Sequence, residues 1–215
     1  QIEGNNTNSD WWAREYAPQT DLKEPSGDAC DSYNRYEEDI RLLAQSGLTM
    51  YRFSIEWARI EPIEGVYSRA QLLHYRAVID TCHKYNIEPM VTLHHMTLPL
   101  WFASQGGWLR DDAADIFSRY IEYVKPILHD VTWVCTINEP NMVALTQGGT
   151  EGSDFAASSL PSPDSIISQH LVEAHKRARD VLSSIEGVKV GWTIACQAFH
   201  AIPGCEAEME AYQYP

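Results

Sequence analysis

Four short runs of apolar, β-branched and aromatic residues punctuate the chain, separated by longer stretches whose apolar positions recur every three or four residues. The first periodic stretch is Tyr33 to Gly47, where Tyr36, Ile40 and Leu43 share a face between Glu37, Glu38, Asp39 and Arg41. That spacing predicts a surface helix with one buried stripe and Gly47 as its C-terminal stop. Leu48 to Ile55 predicts a strand, and Glu56 to Pro62 the loop leaving it, with Glu56 and Glu61 facing solvent. Ser68 and Gln71 have the spacing of a capping box and open a helix from Arg69 to about Tyr85. Glu88 to Leu93 predicts the next strand, and an aromatic and glycine-rich loop follows through Trp108. Asp111 and Asp112 open a helix whose apolar face runs through Ile116, Tyr120, Tyr123 and Ile127, with a kink at Pro126.

The third strand is the run from Trp133 to Glu139, which stops at Pro140 because proline removes a ladder donor and biases its predecessor towards extended backbone. Asn141 to Pro163 reads as a long loop, a lid or a binding loop. A helix from about Asp164 to Ser184 and a strand from Val188 to Ala195 complete the pattern, while residues 17 to 32 read as a loop and no element is assigned after Pro203. Repeated strand–helix alternation predicts a parallel sheet with helices outside, in the α/β class. A doubly wound sheet and a (β/α)8 TIM barrel both fit. Polar residues at successive strand ends, Arg52, His95 and Asn138 with Glu139, favour the barrel, whose single mouth gathers side chains from many strands.

Composition narrows the function classes. The chain has 215 residues, 16 basic and 30 acidic, for a formal charge of −14. So few and scattered cations disfavour a nucleic-acid partner, and no apolar run is long enough for a membrane span. Five cysteines, widely spaced and without a Cys-x-x-Cys pair, suggest neither a disulfide framework nor a zinc site, so buried free thiols in a reducing, cytoplasmic compartment are expected. No Gly-x-Gly-x-x-Gly or Walker-type loop follows a strand, and no cofactor is expected.

The chemistry-bearing side chains are a Gln, an Arg, two His, an Asn and a Glu, with aromatics in the neighbouring loops. Such a set suits a neutral ligand covered in hydroxyls. Adjacent His94 and His95 point opposite ways at a strand end, which argues against their sharing a metal ion. His94 reads as a packed or hydrogen-bonded core residue, Cys135 as packed, and Arg52 on its own as a structural ion-pair partner. Asn138–Glu139–Pro140 alone fits both a solvated strand end and a functional carboxylate.

Taken together, Gln1–Gly4, Tyr51–Ile55 with Trp57–Ile60, Thr92–His95 with Leu98–Pro99, Gly106–Trp108 and Thr136–Pro140, in that order, carry a resemblance. Over essentially its whole length the chain resembles the amino-terminal part of glycoside hydrolase family 1, the β-glucosidase and β-galactosidase family. The resemblance implies one partial (β/α)8-barrel domain over residues 1–215, with about the first five βα units and Gln1–Gly4 as the end of the first strand. It implies a small carbohydrate substrate, Glu139 as general acid and base, and Asn138 at the sugar 2-hydroxyl. Gln1 and His95 would hold the far hydroxyls, and Arg52 would keep the nucleophile ionised. Two departures stand out. Met96 replaces the tryptophan usual after the sugar-binding histidine, and the Glu-Asn-Gly expected to carry the nucleophile is not in the sequence. The expectation is therefore a retaining β-glycosidase whose nucleophile comes from a missing carboxyl-terminal half, with this part inactive alone. A non-catalytic carbohydrate-binding half-barrel is the alternative.

Overall fold

The computed structural model describes residues 3–147, 163–196, 198 and 200–213. Its amino-terminal segment leads into α1 (Asp10–Glu15), capped by the Ser9 hydroxyl, which accepts from the Trp12 amide. Then follow α2 (Ser32–Gln45), β1 (Met50–Ser54), α3 (Trp57–Ile60), α4 (Arg69–Lys84), β2 (Glu88–Thr92), α5 (Leu100–Ser104) and α6 (Ala113–Val124). The chain continues through β3 (Trp133–Asn138), α7 (Pro140–Gln147), α8 (Ser165–Leu182), β4 (Lys189–Thr193) and α9 (Glu206–Gln213). The four strands form one parallel sheet in the order β1-β2-β3-β4, as the strand–helix alternation predicts.

Helices α4, α6 and α8 cover one face of the sheet. The core between them is strongly aromatic, because Trp57, Phe102, Trp108, Phe117 and Tyr120 are all buried in a single cluster. Trp57 stacks on Tyr120 at 5.1 Å and meets Phe102 at 4.9 Å, while the Tyr120 hydroxyl donates to the Leu93 carbonyl at 3.0 Å. That bond satisfies the one polar atom of a wholly buried ring. At Pro126, where a kink is expected, α6 instead gives way to a 3-10 turn over Lys125–Leu128.

Several expectations are corrected. Trp57 to Ile60 is a helical turn rather than a loop, because burying Trp57 and Ile60 together needs helical spacing. That turn brings Glu61 back under Trp57, so Glu61 is fully buried and accepts from Trp57 Nε1 at 2.8 Å and the Gly65 amide at 2.9 Å. Glu56 is half-buried rather than solvated. The aromatic loop condenses into α5 and a 3-10 turn over Gly107–Leu109 as Phe102 and Trp108 enter the core. Pro140 begins α7 instead of a loop, a position where its missing N–H is no loss. The tail after Pro203 contains α9. Only half of the capping box forms: Ser68 Oγ accepts from the Gln71 amide, but the Gln71 side chain accepts from Tyr33. All five cysteines are free, yet only Cys82 and Cys135 are buried, while Cys30 and Cys196 are exposed. Residues 148–162 of the expected long loop lie outside the described residues. So does the main part of the first-strand expectation, Gln1 and Ile2, while Glu3 and Gly4 form a turn and a bend. No helix among the described residues is long and apolar enough to cross a membrane.

Candidate active site

In a parallel sheet the carboxyl ends of all strands lie at one rim, and the polar residues of this chain converge there. β3 supplies the centre. Val134 and Thr136 belong to the helix-covered side, where Thr136 Oγ1 lies 2.8 Å from His175 Nδ1 of α8. By strict alternation Asn138 would follow them. The pairing of β3 with β4 slips, however: Cys135 faces Gly191 but Asn138 faces Thr193, three steps against two. This bulge reverses the parity and turns Asn138 to the opposite face of the sheet.

There Asn138, 3% exposed, accepts from Arg52 Nη2 at 2.6 Å through Oδ1. The bond reaches from β1 to β3 across the intervening β2. Thr193 Oγ1 donates to the same oxygen at 3.0 Å. Because an arginine only donates, these contacts set the amide orientation and leave Nδ2 as the group available to a ligand. Arg52 forms no ion pair among the described residues; its partner is an amide. Its charge therefore remains available to an anion at the mouth.

Glu139 follows at the joint between β3 and α7. Its φ is +48°, a left-handed conformation, rather than the extended one expected before proline. The joint is held from both sides. The Glu139 amide donates to the Thr193 carbonyl at 3.0 Å, and the Asn141 side chain donates to the Ala195 carbonyl at 2.9 Å and accepts from the Ala195 amide at 3.3 Å. Backbone strain of this kind persists where the surroundings over-determine it. The Glu139 side chain is half-buried.

His95 leaves the end of β2, exposed at the rim, with Ser54 Oγ 3.4 Å from its Nδ1. Partial loss of hydration where the ring meets the protein, and then the Arg52 charge, hold its pKa below the ordinary histidine range, while the charges of Glu56 and Glu139 pull it back up. Arg52, His95, Glu56, Tyr51, His74 and Tyr75 line a cleft of about 310 Å³, of which Asn138 and Glu139 are not walls. His94 goes the other way. It is 1% exposed and packs within aromatic distance of Trp57, Trp108 and Phe117, and burial holds its imidazole down at about 3, hence neutral. Neither of its ring nitrogens has a hydrogen-bond partner among the described residues. No group of three or more His, Cys, Asp or Glu among the described residues is arranged to hold a metal ion.

Of the residues singled out in the sequence, Arg52, Asn138, Glu139 and His95 thus meet at one rim, and Gln1 lies outside the described residues. Thr193 and Ser54 escaped the sequence reading. The bulge that makes Thr193 a partner of Asn138 leaves no mark in the local pattern, and a hydroxyl at a strand end is too common to stand out.

The family model described as glycosyl hydrolase family 1 matches residues 3–213. A cytosolic beta-glucosidase of Cavia porcellus is 34% identical over 164 residues, covering 73% of this chain and 34% of that protein. A 1,4-beta-D-glucan glucohydrolase of Thermotoga neapolitana is 38% identical over 139 residues, covering 63% and 32%. Among solved structures, a crystallised beta-glycosidase superposes with a TM-score of 0.88 at 36% identity, covering 99% of this chain and 57% of its own. A beta-glucosidase from Thermotoga maritima in complex with glucoimidazole gives 0.85 at 30% identity, covering 100% and 50%. The chain spans about a third of the length of these curated relatives and about half of the solved structures. The sheet with its outer helices is a partial (β/α)8 barrel.

Proposed function

The chain belongs to glycosyl hydrolase family 1, and from that premise we propose that it carries the acid/base half of a retaining β-glycosidase acting on β-glucosides or β-galactosides. Residues 1–215 form one partial barrel domain in this reading. Glu139 protonates the departing glycosidic oxygen and then, as a base, takes the proton of the attacking water. A second carboxylate, from a segment that completes the barrel and about 5 to 5.5 Å from the Glu139 carboxyl, attacks the anomeric carbon. Arg52 faces that carboxylate and favours its ionised form. Asn138 Nδ2 donates to the sugar 2-hydroxyl, while Gln1 and His95 hold hydroxyls farther from the reacting carbon.

What supports this reading above all is the end of β3, where the bulge turns Asn138 onto Arg52 and the next residue is a half-buried glutamate beside His95. A neutral polyol needs such mixed donors and acceptors rather than a charged clamp. The five free thiols fit a reducing compartment, and cytoplasm is the location proposed.

The test is to join this chain to a family 1 carboxyl-terminal half that supplies the nucleophile, and to follow hydrolysis of an aryl β-glucoside by proton NMR. The first sugar released is expected in the β configuration. Release of the α anomer would contradict the double displacement, and sugar binding without any product would favour the non-catalytic alternative.

A further inference from the structure

His95 stands on an unusual turn. The Thr97 amide donates to the His95 carbonyl at 2.8 Å, and Met96 between them has φ +67°. A bond from residue i+2 back to i around a positive φ is the γ-turn that is rare and strained. Something must hold it closed.

The contacts around the turn converge on Glu56, at the end of the neighbouring strand. A single oxygen, Glu56 Oε2, accepts from Thr97 Oγ1 at 2.9 Å and from Asn6 Nδ2 at 2.7 Å. Both donors are nearly inaccessible, with Thr97 7% and Asn6 5% exposed. The Glu56 amide donates to the Tyr75 hydroxyl at 3.1 Å, and that hydroxyl donates to Glu3 at 3.0 Å. Arg59 closes the circuit onto Glu3 at 2.9 Å. Asp10 and Gln147 also hold the same loop: Asp10 accepts from the Leu98 amide at 2.8 Å and donates its own amide to the Leu98 carbonyl at 2.9 Å, and the Gln147 side chain donates to the Met96 carbonyl at 3.2 Å.

We propose that Glu56 is a positioning residue of the sugar site, whose carboxylate clamps the strained His95–Thr97 turn to the amino-terminal segment and thereby fixes the pose of His95. The assignment rests on the reading of His95 as a sugar-contacting residue. Charge-assisted bonds to one oxygen in a shielded site are the strong kind. No substrate contact by Glu56 itself is needed. Among the described residues the charged groups facing His95 are Arg52 from β1, Glu139 beyond β3, and Glu56, and both carboxylates raise the imidazole pKa.

Two substitutions separate pose from charge. Because both bonds end on one oxygen, Glu56→Gln keeps an acceptor there and loses only the charge, whereas Glu56→Ala loses both. In the chain itself, hydrogen exchange of the Thr97 and Leu98 amides is expected to quicken about tenfold or more in Glu56→Ala and by a clearly smaller factor in Glu56→Gln, which keeps the acceptor without its charge. The His95 imidazole, followed by NMR, is expected to titrate lower in Glu56→Gln. In the active, nucleophile-completed protein, KM is expected to rise about tenfold in Glu56→Ala with kcat within a few-fold, and Glu56→Gln to restore most of it. Thr97→Val removes only the bond to the turn, and should reproduce the faster exchange even if Glu56→Ala does not fold. Unchanged exchange at Thr97 and Leu98 in folded Glu56→Ala or Thr97→Val would overturn the proposal, as would an unchanged KM in active Glu56→Ala. The exchange and titration readings need no substrate, so an inactive parent protein would count against the proposed function and leave them decisive for Glu56.

Discussion

Glu3 shows what a buried carboxyl does when its compensation is incomplete. Burial first, and then the neighbouring Glu56 charge, push its pKa from 4.5 up to about 7, against the pull of Arg59 and the Tyr75 hydroxyl. The folded state therefore binds this proton more tightly than the unfolded chain. Its contribution to stability is fully present below pH 4.5 and is lost as pH rises through about 7. His74 and His94, held by burial at about 4 and about 3, act in the opposite direction over the acid range, so comparing a variant with its parent isolates Glu3. Glu3→Gln is expected to gain on the parent by up to about 3 kcal/mol between pH 4.5 and 7.5, measured by urea unfolding at each pH. A constant difference across that range would show that Glu3 does not titrate there. The placement of a polar side chain at the sheet rim was legible where it sat at a strand end before a breaker, as Asn138 and Glu139 do. Glu56 and Glu61 were not, because a charged residue between apolar ones looks the same whether water or buried donors receive it; only the helical turn of α3 decides.

Among the elements, strands were legible from their apolar runs, and α2, α4, α6 and α8 from helical spacing, to within a few residues at each end. The elements missed are α3, α5, α7 and α9, together with α1. The first two are shorter than two turns, so no periodicity can build up in them, and tertiary burial of Trp57 and Phe102 makes them helical. At α7 the proline was read as the end of a strand, although it also serves as the first residue of a helix. The left-handed backbone at Glu139 joins the two, an arrangement no propensity favours. Capping offers a check at this scale. Ser68 caps α4 alone, without the reciprocal bond from Gln71, so Ser68→Ala is expected to cost about 1 kcal/mol by denaturant unfolding. A loss of a few tenths would mean that solvent or another group satisfies the Gln71 amide equally well.

In the molecule as a whole the sheet has two outer strands, β1 and β4, each paired on one side only among the described residues. Met50 on β1 and Ile194 just after β4 are 44% and 55% exposed. Unpaired ladder edges of this kind recruit further strands, whereas a net charge of −14 keeps copies apart. Sedimentation of this chain is therefore expected to show concentration-dependent association that grows as salt screens the charge, and Met50→Lys with Ile194→Lys should suppress it. Monomers at all salt concentrations would mean that the edges are protected. The family was legible because its motifs lie at strand ends in a fixed order, whereas the turn of Asn138 towards Arg52 depends on a bulge that only the assembled sheet reveals.

The acid role of Glu139 is tested most directly by leaving-group dependence in Glu139→Gln of the nucleophile-completed protein. For an alkyl or poorly activated aryl β-glucoside, kcat/KM should fall by about 10² to 10⁴, the usual worth of a positioned acid. For a dinitrophenyl glucoside, whose leaving oxygen needs no proton, glycosylation should continue at nearly the parent rate. An equal loss on both substrates, or no loss on either, would contradict the account.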